Sequence, residues 1–381
     1  MTSEKPTLRW GIIGTGMIAS WFVTDLTTPR KNPLANHKIT AIGSSTAAKA
    51  LSFASTHLPN NNNPTQAATQ CYGSYAEVYA SPSVDIIYIA TPHALHLRNA
   101  LEAISAGKHV LVEKPMALNA AQAAEMIAAA RQKGVFLMEG MWTRFMPLTR
   151  RFVSLLHEQK AVGDVRRAFC DFGLDMPIQS LPATSRLRDP GLGAGSLLDI
   201  GIYSLTWGVL ALEAAPEAES ERDIPSVVSA QTLEGGVDVM SSMVLFYPST
   251  GRQGILTSTT MAKSDNEFCR VEGTKGIIVV SGETASMPES ITILRKRDGA
   301  GQDMGDKRAQ DGEDLYEKKT LSFEVDGDHK GFCYEADAVA IDIAAGRTES
   351  RIMPLNESFR MLDIMDGVRK QGGAHFPQDS L

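Results

Sequence analysis

The stretch "VLVEKPMALN" closes a short apolar run with Lys114, between Glu113 and Pro115. Lysine disfavours strands and is rarely buried, so a lysine ending a core strand is either solvated or placed for chemistry. Other reactive residue types stand at comparable places. "IATPHALHLRNAL" ends another apolar run with Thr91, Pro92, His93 and His96, and "MEGMWTRFMP" carries Trp142 and Arg144 after a third. "GSLLDIGIYSLTW" sets Asp199 and Tyr203 four residues apart, which puts both on one face of a regular helix. Taken singly, each histidine is an ordinary surface or capping residue and the tyrosine an ordinary core hydroxyl. Together, an ammonium, imidazoles, a carboxylate and a phenol are groups that move a proton to or from a hydroxyl or carbonyl. The indole adds a flat platform for a ring, and the guanidinium a fork for polar groups.

Such residues need a scaffold that gathers strand ends. From Leu8 to about Met138, "LRWGIIG", "KITAIGS", "VDIIYIA", "KHVLVEK" and "GVFLMEG" read as strands, alternating with helices over Met17–Leu26, Ala47–Thr56, His96–Ala106 and Ala120–Lys133. Continuous apolar strands separated by helices imply a doubly wound parallel sheet covered on both faces. Ligands lie at the carboxyl ends of such strands, where Thr91–His96 and Glu113–Lys114 stand. After about Pro147, β-rich runs follow one another with little helix between: Arg166–Phe172, Ser226–Leu233, Val237–Phe246, Gly254–Thr260, Glu267–Glu272 and Gly276–Val280. That pattern predicts a largely antiparallel open sheet. The expected architecture is α/β: a Rossmann domain over residues 1–146 and an α+β domain over 147–381. Helices are expected at Ser196–Leu210 and Tyr334–Ala345. A terminal helix at about 356–370, capped by Asn356 or Ser358 and stopped by Gly372–Gly373, should pack back on the first domain. Asn60–Pro64 reads as a loop insertion and Gly299–Lys319 as a long mobile loop.

"WGIIGTGMIA" supplies Gly14-x-Gly16-x-x-Ala19 directly after a strand and before a helix that Met17 and Ile18 open. Gly14 allows the tight turn, Gly16 lets the backbone approach a pyrophosphate, and Ala19 permits close helix packing. A dinucleotide cofactor is therefore expected. An acid ending the second strand would read a free 2′-hydroxyl and repel a 2′-phosphate, but "KITAIGSSTAAKA" has none. Ser44 and Ser45 can donate to a phosphate and Lys49 adds charge, which favours NADP over NAD. The same serines and Thr46 also suit the cap of the next helix.

A chain of 381 residues, 43% hydrophobic and 21% charged, has room for two or three globular domains. Its net charge of −7 and lack of basic runs argue against nucleic acid or an anionic membrane as partner. Cys71, Cys170, Cys269 and Cys333 are widely spaced, with no CxxC and no His/Cys pair at metal spacing, so reduced thiols and no metal are expected. No leader-like start or apolar span is read in the chain, and a cytoplasmic location is expected.

These motifs carry a resemblance. Over nearly its full length the chain resembles the glucose–fructose oxidoreductase/inositol dehydrogenase (Gfo/Idh/MocA) family, through "RWGIIGTGMIA", "TPHALH", "EKP", "MEGMWTRFMP", "LGAGSLLDIGIYSL" and "YEADAVAIDIAAGRTES". More narrowly it resembles the branch of NADP-dependent dimeric dihydrodiol dehydrogenases and D-xylose 1-dehydrogenases. The resemblance implies that Lys114 reaches the substrate beside the nicotinamide and that Pro115 follows a cis peptide bond. The family's widespread pattern has histidine where this chain has Tyr203, a departure shared with the sugar-oxidising and dihydrodiol branches. A phenol ordinarily titrates near 10, and a neighbouring ammonium favours the phenolate, so Lys114 and Tyr203 make sense as a coupled pair.

The expected cofactor contacts are Gly14, Gly16, Met17, Ile18, Ser44, Ser45, Lys49, Thr91, Pro92, His96, Glu113 and Lys114. The expected catalytic residues are Lys114, Tyr203 and Asp199, with His93, Trp142, Arg144 and Arg186 toward substrate. Three functions fit: hydride transfer between NADP and a carbinol carbon of a small polyol (an aldose C1 or a trans-dihydrodiol), reduction of a ketone or imine in secondary metabolism, or nucleotide sensing without turnover. The resemblance also implies a homodimer, formed through a sheet face left free of helices.

Overall fold

The computed structural model describes residues 4–58, 69–214, 223–297, 316–325 and 329–380. The first sheet grows from apolar strands, buried most completely at its centre and along β4, β5 and β6. They are β1 (Thr7–Ile13), β2 (Asn36–Gly43), β3 (Gln70–Tyr72), β4 (Ile86–Ile89), β5 (His109–Glu113) and β6 (Leu137–Gly140). All pair in parallel, in the order β3-β2-β1-β4-β5-β6. The helices α1 (Met17–Thr27), α2 (Ala47–His57), α3 (Tyr75–Ala80), α4 (His96–Ser105) and α5 (Ala120–Lys133) make the crossovers. The strand order reverses between β1 and β4, so a crevice opens at their carboxyl ends, followed in sequence by Gly14 and Thr91. Lys114 directly follows the neighbouring β5. Strand β3 and helix α3 were not expected, being too short to show a period. The Asn60–Pro64 insertion lies outside the described residues.

After α6 (Pro147–Val153) the second sheet runs from β7 (Val165–Gly173) through β8 (Ser226–Glu234), β9 (Val237–Tyr247), β10 (Arg252–Thr259), β11 (Cys269–Gly273), β12 (Gly276–Thr284), β13 (Met287–Lys296) and β14 (Tyr316–Ser322). Its order is β14-β13-β12-β11-β7-β10-β9-β8, antiparallel except where β7 meets β10. Strand β14 corrects the expected loop over Gly299–Lys319: its last residues pair with β13, from Lys296↔Tyr316 to Ser290↔Ser322. Residues 298–315 lie outside the described part.

The segment expected as one regular helix over Ser196–Leu210 is a π-turn, Leu197–Gly201, leading into α7 (Ile202–Leu212). Asp238 of β9 fixes that turn, accepting from Leu197 N at 2.7 Å, Ser196 Oγ at 2.8 Å and Ser241 Oγ at 2.9 Å. By composition Pro190–Leu212 is long and apolar enough to cross a membrane, contrary to the reading of the sequence, yet 94% of its most apolar window is buried inside the protein.

Two more helices tie the domains together. Asp25 of α1 caps α8 (Phe332–Ala344), and α9 (Leu355–Gly372) lies against α5 and β8. Helix α9 begins behind Pro354, not at Asn356 or Ser358, because the rigid proline sets the entry and Glu349 Oε2 accepts Leu355 N at 2.9 Å. It stops at Gly373, whose φ of +90° suits glycine. Its Asp366 accepts Ala120 N of α5 at 2.8 Å, while Gln371 accepts Ser229 N of β8 at 2.8 Å.

Candidate active site

The turn after β1 is shaped by lack of side chains. Gly14 has φ +87°, and a Cβ there would come within 2.6 Å of the Ala90 carbonyl oxygen. Gly16 caps α1 with extended backbone and no side-chain bond; a Cβ on it would meet nothing within 4 Å. The first turn of α1 carries no acid. Amide donors thus face an open approach at the positive end of a helix, an arrangement that fits a dinucleotide pyrophosphate. Met17 is exposed and Ile18 half-buried beside it. At the end of β2, Ser44 and Thr15 hydroxyls bond at 2.9 Å, Lys49 Nζ donates to Ser45 Oγ at 3.1 Å, and Thr46 caps α2 through Lys49 N. Hydroxyls and an ammonium, with no carboxylate in that segment, fit a ribose 2′-phosphate.

At the β4 end, His93 reaches over to the second domain: its Nδ1 lies 3.1 Å from the carbonyl of Gly193, whose φ of +79° follows a short turn capped by Asp189. Burial lowers the pKa of His93 to about 3, so the ring is neutral; Nδ1–H donates to the carbonyl and Nε2 is left as an acceptor. His96 is fully buried. Its nitrogens face the carbonyls of Thr91 and Pro115, each at 2.9 Å, so it braces the two strand ends and has neither nitrogen left for a cofactor. Thr91 Oγ1 accepts from Asn99 at 3.0 Å, and Pro92 leads into the turn that bears His93.

The centre of the site joins the domains. Lys114 Nζ donates to the Asp199 carbonyl at 2.6 Å and to its Oδ1 at 3.1 Å; Arg186 Nη1 approaches Oδ2 at 3.7 Å. Burial alone would raise the Asp199 pKa, but Lys114, Arg186 and His93 hold it well below the usual carboxylate range. The peptide bond between Lys114 and Pro115 is cis. Tyr203 lies beside the ammonium, with Lys114 Nζ 5.2 Å from its ring centroid. Its hydroxyl accepts from Trp142 Nε1 at 2.9 Å, and Phe172 meets its ring edge-on. Although the π-turn breaks the regular i,i+4 relation, both Asp199 and Tyr203 still approach Lys114.

Besides the cofactor role of His96, four expectations change. Burial, followed by the nearby charge of Glu113, pushes the Tyr203 phenol well above its ordinary value, so Lys114 does not lower it here. The ammonium is turned toward Asp199, and the hydroxyl bond comes from Trp142. Arg144 is not brought to the cleft: buried, it pairs with Glu357 of α9 at 2.9 Å. Glu113 accepts from the Tyr88 hydroxyl inside the core, where burial raises its pKa to about 7. Trp142 is 2% exposed with one face stacked on Phe332 at 4.4 Å, so it presents an edge more than a platform.

Sequence reasoning missed Asp238, which sets the π-turn, and Phe332, which backs Trp142. The first had a signal: an acid flanked by valines in the apolar strand "VDVMSSM". The second had none, because its neighbour lies in the other domain.

The architecture and site define a nicotinamide-type oxidoreductase fold, and the comparisons agree. Residues 8–141 match the model of the Gfo/Idh/MocA oxidoreductase family with NAD-binding Rossmann fold, and residues 151–279 match that family's C-terminal domain. The chain belongs to the Gfo/Idh/MocA family. It is 32% identical to a D-xylose 1-dehydrogenase (NADP(+)) of Hypocrea jecorina, covering 99% of this chain and 95% of that one. It is 36% identical to a trans-1,2-dihydrobenzene-1,2-diol dehydrogenase of Xenopus tropicalis, covering 97% and 99%. Among solved structures, an NADP-bound 3-ketoreductase from Actinomadura kijaniata shares the fold at TM-score 0.74 and 22% identity, covering 96% of this chain and 98% of that one. An aldose–aldose oxidoreductase from Caulobacter crescentus does so at TM-score 0.74 and 23%, with the same coverage.

Proposed function

We propose that this protein is an NADP-dependent dehydrogenase that moves hydride between the nicotinamide and a carbinol carbon of a small polyol, either C1 of a xylose-like aldose or a trans-dihydrodiol. The observation that carries the reading is the Lys114–Asp199 contact beside Tyr203, set between two domains at the strand ends that flank the glycine turn. The relatives that match nearly the whole chain support the same substrate class.

Bound NADP supplies the hydride acceptor or donor; the chain supplies position and proton handling. Asp199 grips the ammonium of Lys114 and aims it across the cleft. A hydroxyl placed between Nζ and the Tyr203 oxygen would be oriented by both, and in the oxidative direction its proton passes to that oxygen only in the phenolate form, which burial disfavours. Run toward reduction, the same site needs a protonated phenol to deliver a proton to the new alkoxide, and the raised Tyr203 pKa supplies one. This favours carbonyl reduction as the second reading.

The reading includes a homodimer and a reducing, cytoplasmic setting. Exposed Val228 and Val244 lie directly opposite one another on β8 and β9, with Met240 and Phe246 beside them, an apolar face turned away from α9. All four cysteines are free. A panel of aldoses, trans-dihydrodiols and carbonyl compounds, followed at the NADPH absorbance with NADP and NAD, tests the function. Turnover of a polyol or its carbonyl partner is expected, and cofactor binding without turnover of any of them would overturn it.

A further inference from the structure

Away from the active site, where α1 meets the start of α8, three side chains of metal-binding type converge. Asp25, His329 and Cys333 place one donor atom each within 4.8 Å of one another, and all three residues are buried. Asp25 makes three bonds at the head of α8: Oδ1 accepts Lys330 N at 2.8 Å, and Oδ2 accepts Gly331 N at 2.7 Å and Phe332 N at 2.8 Å. A carboxylate has about four acceptor positions, so one remains, on Oδ1.

That oxygen lies 3.8 Å from His329 Nδ1, too long for a hydrogen bond. His329 is only 6% exposed, yet neither ring nitrogen has a hydrogen-bond partner among the described residues. A buried imidazole left unpaired is costly, and it is aimed at the open lone pair of Asp25. Two ligands about 2.0–2.1 Å from a shared ion lie roughly 3–4 Å apart, which the Asp25–His329 spacing matches. The thiol of Cys333 lies within 4.8 Å of both. Arg30 pairs with Asp337 through bonds of 2.9 and 2.8 Å and also touches the thiol, a contact the thiolate would give up on joining an ion.

We propose that Asp25, His329 and Cys333 form a site for a divalent cation of the zinc type, with a water as the fourth tetrahedral ligand, pinning the helix after the glycine turn to the first helix of the C-terminal segment. A mixed oxygen, nitrogen and sulfur set suits zinc or cobalt and not magnesium or calcium, which take oxygen ligands. On binding, the thiol proton leaves to solvent and the thiolate joins the carboxylate, so the two charges of the ion are balanced. The site does not depend on the proposed reaction, although Asp25 also holds the backbone of Phe332, which backs Trp142. It corrects the sequence reading of no His/Cys pair at metal spacing, since His329 and Cys333 stand four residues apart; only Asp25, from the other domain, was hidden by distance along the chain.

The test uses the full chain, reduced and stripped with a chelator, titrated with Co²⁺ and then Zn²⁺. One equivalent of Co²⁺ should give tetrahedral d–d bands and a thiolate-to-cobalt charge-transfer band, and Zn²⁺ should displace it and raise Tm. Cys333→Ser should abolish the charge-transfer band, and His329→Gln should weaken binding by at least ~10-fold, since even outer partners of metal ligands carry that much. Both variants should retain NADP affinity and the circular dichroism of the parent. If Cys333→Ser does not fold, His329→Gln alone decides. No charge-transfer band in the parent, a band lost in Cys71→Ser, or unchanged affinity in His329→Gln would each overturn the site.

Discussion

The Lys114 ammonium, carried by the first domain, is gripped twice by Asp199 of the second, through the backbone carbonyl at 2.6 Å and the carboxylate at 3.1 Å. A flexible four-carbon side chain is thereby fixed in direction before any substrate arrives. Its charge is matched in a mostly buried place, where the carboxylate is worth far more than at the surface. Positioning of this kind acts on the transition state more than on cofactor binding.

Lys114→Met should therefore lower kcat by roughly 10²–10⁴-fold, the range for positioned proton-transfer groups, with NADP affinity changed only a few-fold. Tyr203→Phe should behave alike. The double variant should lose much less than the product of the single losses, because the residues act as a unit. Steady-state rates and cofactor titrations on the three variants check this, and near-normal kcat in either single variant would end the mechanism.

For cofactor choice, the Thr15–Ser44 and Ser45–Lys49 pairs present hydroxyls and an ammonium where an acid would read a free ribose. NADP should bind at least ~10-fold tighter than NAD, about 1.4 kcal/mol. Ser44→Asp should narrow or reverse the gap in a direct binding titration.

Arg144 belongs to the fold and not to the cleft. Since its guanidinium is buried on Glu357, Arg144→Ala should cost about 3 kcal/mol of stability, with Arg360 still on Glu357 keeping the loss near the low end for a broken buried pair. KM for substrate should hold. A raised KM with unchanged stability would return Arg144 to the cleft.

Burial raises the Glu139 pKa to about 7 from an ordinary value of 4.5. Between those values the folded state holds more protons than the unfolded one, so this group's contribution is full below about pH 4 and is lost as pH rises to about 7. Glu139→Gln keeps an oxygen acceptor for Met116 N and should flatten that decline by an amount on the order of 3 kcal/mol in denaturation curves taken from pH 5 to 8.

On association, Val244→Asp puts a charge into the exposed apolar face of β8 and β9. Sedimentation should show a dimer for the parent and a monomer for the variant at equal concentration. A monomeric parent would remove the dimer from the reading.

Local chemistry explains which features the sequence displayed. The buried parallel strands announce themselves as apolar runs, the glycine turn as a fixed spacing, and Lys114 as a misplaced charge at a strand end. Tyr203 and Asp199 were found by spacing, although the π-turn that presents them leaves no periodic mark. Long-range partners were hidden. Nothing local distinguishes Arg144 facing a cleft from Arg144 facing Glu357, 213 positions away. Nor does the sequence say that the Tyr203 hydroxyl meets Trp142, since burial and orientation arise only when β6 and α7 are brought together. Strand β14 was hidden by its composition: Glu and Lys dominate an edge strand that needs one partner only.

The split grip on Lys114 has a consequence for descent. A catalytic pair whose halves sit in separately folded lobes must change together: a recombinant that joined the nucleotide lobe of one lineage to the substrate lobe of another would inherit its lysine and its aspartate from different parents. Drift in the backbone around the π-turn is therefore constrained from across the crevice, as Gly193 is by His93, while the exposed residues 182–184 further upstream are freer to vary. Diversification of substrate within such a lineage is expected to accumulate there.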